Sequence, residues 1–152
     1  MKNFIKFLGI AVIVAVIGFS MTGCAEPGLE LSGTTWVLGY TKADLAEAWG
    51  STEALVDQTL ALAGITINFP IPVMQIAFTS DKDFTMSQNT GFSSLATINT
   101  PKWEVVLRGT YTISGDDVTL SASGYDPQTC TVDGNTLTIT DDDGTTMKFQ
   151  KQ

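Results

Sequence analysis

The chain has 152 residues, 43% of them hydrophobic and 16% charged, with 16 acidic side chains against 8 basic ones and a formal net charge of −8. That length suits one domain with a real core, and the acidic excess excludes a nucleic-acid binder, because a polyanion is repelled and no basic stripe is present to release counterions. The sequence contains no histidine, which removes the commonest general base and the commonest transition-metal ligand.

At the start of the chain, Lys2 and Lys6 precede an apolar run from Leu8 to Phe19, and Met21, Thr22 and Gly23 lead to Cys24. A positive start, an apolar middle and small residues before a cleavage point make the three-part layout of a secretory signal. The apolar run of about 12 residues falls short of the ~20 that cross a bilayer. Met21-Thr22-Gly23-Cys24 resembles the lipobox of bacterial lipoproteins, with Met21 where leucine is usual. The resemblance implies that residues 1–23 are removed, that Cys24 carries the lipid, and that this lipid holds the protein on an envelope membrane. Ala25 and Glu26 are compatible with transfer to a bacterial outer membrane, since the common retention signal after the cysteine is aspartate. With Cys24 lipidated, Cys130 is the remaining thiol, so no internal disulfide forms and stability rests on packing.

Residues 24–31 are the lipidated N-terminus and a tether, in which Ala25 to Leu31, with Pro27 and Gly28 and no periodicity, reach ~25 Å at ~3.5 Å per residue. Residues 32–152 form the domain. From Thr34 to Tyr40 the residues Trp36, Leu38 and Tyr40 alternate with Thr35, Val37 and Gly39, a first strand. The period then changes. Thr41 and Asp44 cap a helix whose Leu45, Ala48 and Trp49 share a side, and Gly50 stops it. Ser51 opens a second helix with Leu55, Val56, Thr59, Leu60 and Ala63 in helical rhythm until Gly64. A helical pair is therefore expected at about 42–63. Pro70 and Pro72 mark Ile65 to Pro72 as a connection or an edge segment, not a central strand.

After Val73 the pattern is antiparallel sheet. Met74, Ile76 and Phe78 alternate with polar or small neighbours, and Ser80-Asp81-Lys82-Asp83 turns the chain into Phe84 and Met86. Asn89 to Thr100, rich in Ser, Thr and Asn, reads as a weak strand or a long loop. Trp103, Val105, Leu107, Gly109, Tyr111 and Ile113 share one face, opposite Glu104, Val106, Arg108, Thr110 and Thr112. Val118, Leu120 and Ala122, then Cys130 and Val132, then Leu137 and Ile139, then Met147 and Phe149 repeat the alternation. Asp-Gly and Gly-Asp turn sequences separate these segments. About eight short strands with one apolar face predict an all-β fold, a closed antiparallel up-and-down barrel with the helical pair inserted after the first strand. An interior of this size is either filled by side chains or holds one small ligand.

Gly33-Thr34-Thr35-Trp36, Arg108-Gly109-Thr110-Tyr111-Thr112-Ile113 and the terminal hairpins resemble the lipocalin-like domains of bacterial envelope lipoproteins, within the calycin group of barrels. The likeness covers most of residues 31–152, although two residues stand between Gly33 and Trp36 where lipocalins proper have one. It implies that Trp36 plugs the barrel base. The helical pair is also similar to the plan of intracellular fatty-acid-binding proteins, whose two helices lid the barrel mouth. That family grips a carboxylate with an arginine and a tyrosine two residues apart in the final strand. Here the stretch is Met147-Lys148-Phe149, and Arg108 falls on the outer face by strand parity, so the clamp does not carry over.

Chemistry-bearing groups are sparse. Cys130 shares a strand face with Val132 and has no histidine to activate it, which reads as a buried structural thiol. Asp116, Asp117, Asp141, Asp142 and Asp143 match no calcium-loop spacing and read as solvated turns. The acids cluster in turns and not at a cleft, with Glu104 on the polar side of its strand, so no glycosidase pair is expected. No catalysis, metal or cofactor is expected. Met74, Phe78, Trp103, Leu107, Tyr111 and Phe149 are the candidate lining of a hydrophobic ligand cavity; a packed core uses the same residues. Two functions stay open: carriage of a small hydrophobic ligand in the barrel, or an interaction protein with a filled interior that contacts another envelope component through its acidic surface.

Overall fold

A computed structural model describes residues 29–91, 98–141 and 143–152. The export signal, the lipobox with Cys24 and the first part of the tether lie outside these residues, as do Phe92, Leu95 and Asp142. The elements in chain order are β1 (Thr35–Tyr40), α1 (Lys42–Ala48), α2 (Glu53–Leu62), β2 (Ile71–Phe78), β3 (Asp83–Asn89), β4 (Trp103–Ser114), β5 (Asp117–Ser121), β6 (Gln128–Asp133), β7 (Thr136–Thr140) and β8 (Thr146–Lys151). Each strand pairs antiparallel with the next, and β8 returns to β1, closing an eight-stranded barrel of the lipocalin-like plan. The helical pair follows β1, as the change of period predicts.

Alternation builds the core. The inward side chains of every strand join one cluster that runs from Leu31 and Trp36 through Ile76, Phe84 and Leu120 to Phe149. Tight turns keep the strands in register. Gly134, for example, takes φ +56° between β6 and β7, a left-handed conformation that costs glycine little.

Two β-bulges interrupt the alternation near one end. Leu38 pairs with Met74 while Gly39 pairs with Pro72, so Val73 is an extra residue in β2 and both Val73 and Met74 are buried. Pro72 thus belongs to a strand, contrary to the expectation that the segment through Pro72 is a connection or an edge. It is tolerated at the irregular, terminal part of the ladder, where β2–β3 pairing has not yet begun. In the second bulge Met86 pairs with Leu107 and Ser87 with Val105, leaving Val106 extra in β4. Past it, Trp103 and Val105 share the face of Ser87 and Asn89, and Glu104 shares that of Gln88, Met86 and Met74. The single apolar face expected from Trp103 to Ile113 is therefore split at Val106, and Glu104 and Arg108 stand on opposite faces.

The helices form where capping chemistry allows. Thr41 accepts a bond from Asp44 N–H, and the Asp44 carboxylate accepts from Thr41 N–H at 2.6 Å, a reciprocal box at the α1 start. Thr52, not Ser51, caps α2, its hydroxyl accepting from Leu55 N–H. The buried face of α1 differs from the expected one, and that of α2 agrees at Val56 and Leu60 but not at Leu55. Ala46 is the buried residue of α1, and Val56 and Leu60 those of α2, whereas Trp49 and Leu55 are exposed by half. These short helices are oriented by packing on each other and on Leu45, Ile65, Ile67 and Phe69, a second cluster separate from the barrel core.

Candidate functional site: the barrel interior and its helical end

At the end where β1 begins, Trp36 and Leu31 are almost wholly buried, and Trp36 Nε1 donates to Thr34 Oγ1 at 2.9 Å. Gly33 N–H donates to Phe78 O at 2.8 Å, and the Lys151 ammonium lies 5.7 Å above the Trp36 ring. Trp36 plugs the base, as the resemblance implies. Phe78 and Tyr111 meet edge to face with ring centroids 4.7 Å apart, and the Tyr111 hydroxyl donates to Ser80 O at 2.8 Å, tying β4 to the β2–β3 turn. Burial, and after it the nearby Asp81 and Asp83, push the Tyr111 phenol above its ordinary value.

The middle of the barrel is filled. Ile76, Val118, Leu120, Leu137, Ile139 and Phe149 each expose 0% of their surface. Side chains around a void wide enough for water would keep some accessible area, so these six meet protein on every side. Gly109 is part of this closeness: a Cβ there would lie within 2.2 Å of Ser121 O and 2.7 Å of the Phe84 ring. Only glycine lets β5 approach β4 at that point.

Toward the helical end the interior loosens. Leu38 and Met74 expose 9% and 6%, and Tyr40 and Leu107 are half-buried against the core. Burial, with a smaller contribution from Asp44, raises the Tyr40 phenol. Of the six candidate lining residues, Phe78 and Tyr111 sit at the base, Phe149 in the filled middle, and Met74 and Leu107 toward the helices. Trp103, half-buried, lies on the other face of the sheet beyond the β4 bulge.

Two asparagines shape this end and are not visible as functional from sequence. Asn89, 2% exposed, accepts from Gly91 N–H and Lys102 N–H through Oδ1 and donates through Nδ2 to Pro72 O, joining β2, β3 and the approach to β4. Asn99 accepts from Asn68 N–H and donates to Thr66 O, holding the β3–β4 connection against the segment that follows α2. Both fall in the Ser/Thr/Asn-rich stretch read as loop or weak strand, where one asparagine looks like another.

Cys130 is buried, its thiol donating to Val118 O at 3.2 Å, and burial followed by Asp117 pushes its pKa from 9.0 up to about 12. It is a protonated core side chain at neutral pH. The turn carboxylates fold the chain locally: Asp83 accepts from the Ser80 hydroxyl and Asp143 from Thr145 N–H, both at 2.8 Å. Among the described residues no three His, Cys, Asp or Glu side chains stand close enough to hold a metal, and no helix is long and apolar enough to cross a membrane. No protein-family model, curated protein or solved structure matches the chain.

Proposed function

We propose that this is a lipid-anchored, non-catalytic envelope protein that uses a filled barrel as a rigid body and acts through its outer surface. The observation that carries the choice of surface over interior is the complete burial of the mid-barrel side chains from Ile76 to Phe149. The support for the anchor is the Met21-Thr22-Gly23-Cys24 sequence behind an apolar segment. In this reading the tether joins the barrel at Leu31, which packs in the core with Trp36 at the end away from the helices, so the base is the end nearer the anchor.

Mass spectrometry of the protein from membranes of a bacterial host tests the anchor. The expected product begins at Cys24 with acyl chains attached, and Cys24→Ser releases an unacylated form; a wild-type product without acyl mass overturns it. Native mass spectrometry and titration with a hydrophobic fluorescent probe test the filled interior, with no bound small molecule and no saturable uptake expected. One observation favours a second reading: Tyr40, Leu107, Met74 and Leu38 keep some exposure near the helices, which suits a small apolar ligand seated there. Saturable probe binding weakened by Leu107→Ala supports that reading over the first.

A further inference from the structure

Val56 and Leu60 turn one side of α2 inward. At about 100° per residue, the opposite side holds Ala54, Leu55, Gln58, Ala61 and Leu62, each within about 60° of the outward direction. All five are exposed, Leu55 by 52% and Leu62 by 83%. A helix on a protein surface ordinarily sets its charges there. In α2 the two charges sit elsewhere: Glu53 occupies the first turn, and Asp57 is held toward α1 by Lys42 at 2.7 Å. The next charged residue after Asp57 is Asp81, so the chain that leaves α2 through Leu62, Ala63 and Gly64 is uncharged as well.

The outward side of α2 therefore suits a medium that takes up leucine and hydrates charge poorly. Leu55 and Leu62, seven residues apart, stand on one line about 10 Å apart along the axis, as in a helix lying flat at the boundary between lipid headgroups and acyl chains. With 16 acidic against 8 basic residues, the chain favours lipid without net negative charge. A second copy is the poorer occupant, because one side of a ten-residue helix falls well short of the ~800 Å² per partner of a stable interface.

Reach permits the contact. Leu31 joins the barrel at the end away from the helices, and β1, with six residues at ~3.3 Å each, spans ~20 Å. Ala25 to Leu31 extend ~25 Å at ~3.5 Å per residue, so a chain held at Cys24 can lean until α2 meets the membrane that holds it. Tethering also keeps α2 at high effective concentration beside lipid, which makes a contact of two leucines, weak by itself, well occupied. We propose, on the basis of the lipid anchor inferred above, that the outward side of α2 seats on zwitterionic lipid and fixes how the barrel stands on the membrane.

Acylated protein in phosphatidylcholine vesicles, with bromine on the acyl chains to quench tryptophan emission, tests the contact. Leu62→Trp is expected to add emission that the brominated lipid quenches. Asn135→Trp, in the exposed β6–β7 turn bonded to Lys151 at the base, is expected to add emission that it does not. Leu55→Glu in the Leu62→Trp protein is expected to shift the balance from seated to lifted molecules at least about tenfold. Where circular dichroism shows that Leu55→Glu does not fold, the comparison of positions 62 and 135 decides alone. Vesicle flotation reads the anchor separately. Protein that floats with Leu62→Trp emission unquenched, with Asn135→Trp quenched more strongly, or with a dimer that Leu62→Glu disperses in place of lipid contact, overturns the seating and leaves the anchor standing. Protein that does not float overturns both.

Discussion

At the barrel base Trp36, Phe78, Phe84 and Tyr111 pack over Leu31, whereas at the other end Ala46, Val56 and Leu60 hold two short helices against Ile65, Ile67 and Phe69. The first region buries large rings from strands far apart in sequence, and the second buries three small or medium side chains from neighbouring segments. Complete burial of each large side chain stabilises by about 1.5–3 kcal/mol, so most of the global stability belongs to the barrel. The helical pair has its own small cluster and is free to open locally while the barrel stays closed.

The largest effect expected is from Phe149→Ala in the filled middle, which should lower the unfolding free energy in urea by about 3–5 kcal/mol. A loss under about 1 kcal/mol would mean that the interior collapses easily, contrary to its close packing. Next in size is the alkaline limb. The folded pKa of Cys130 lies above its unfolded value, so its contribution is complete below pH 9.0 and is lost as pH rises toward about 12. Cys130→Ala should flatten the fall in stability over that window, at about 1.4 kcal/mol per pH unit. Val56→Ala should cost about 2 kcal/mol within the helical pair; amide exchange should quicken in α1 and α2 and leave the barrel strands unchanged. If the strands lose protection equally, the two regions are one cooperative unit. Thr41→Ala, which removes the cap and half of the box, should cost about 1 kcal/mol and show in the same exchange measurement at the α1 start.

Those regions also differ in how far they can be read from residues. Alternation at Ile76, Phe78, Phe84, Met86, Leu120, Ile139 and Phe149 is a local signal with a global meaning, because one buried face leaves only one register. The Thr41–Asp44 cap is local too, and its geometry agrees with its spacing. The bulges are not local. Nothing in Trp-Glu-Val-Val-Leu-Arg-Gly marks Val106 as the extra residue; closure of the ladder with β3 selects it. For that reason Trp103 was expected on the Tyr111 face and stands on the other. The burial of Ala46 in place of Trp49 has a similar origin, since a seven-residue helix turns whichever side its neighbour can cover. Of the candidate site, Met74, Phe78, Tyr111 and Phe149 were legible as buried, while Asn89 and Asn99 act through backbone groups that only the fold brings near.

The β1–β8 seam has a kinetic consequence. Two residue pairs join these strands, Trp36 with Lys151 and Val37 with Gln150, supplemented by the bond from Gln152 N–H to Thr35 O. Their partners lie at opposite ends of the domain, so this clasp gains no help from a nearby turn and must overcome the entropy of closing almost the whole loop. Such a ring is expected to fasten late during folding and to unfasten first there, with the Trp36 plug settling only once Lys151 has arrived above it.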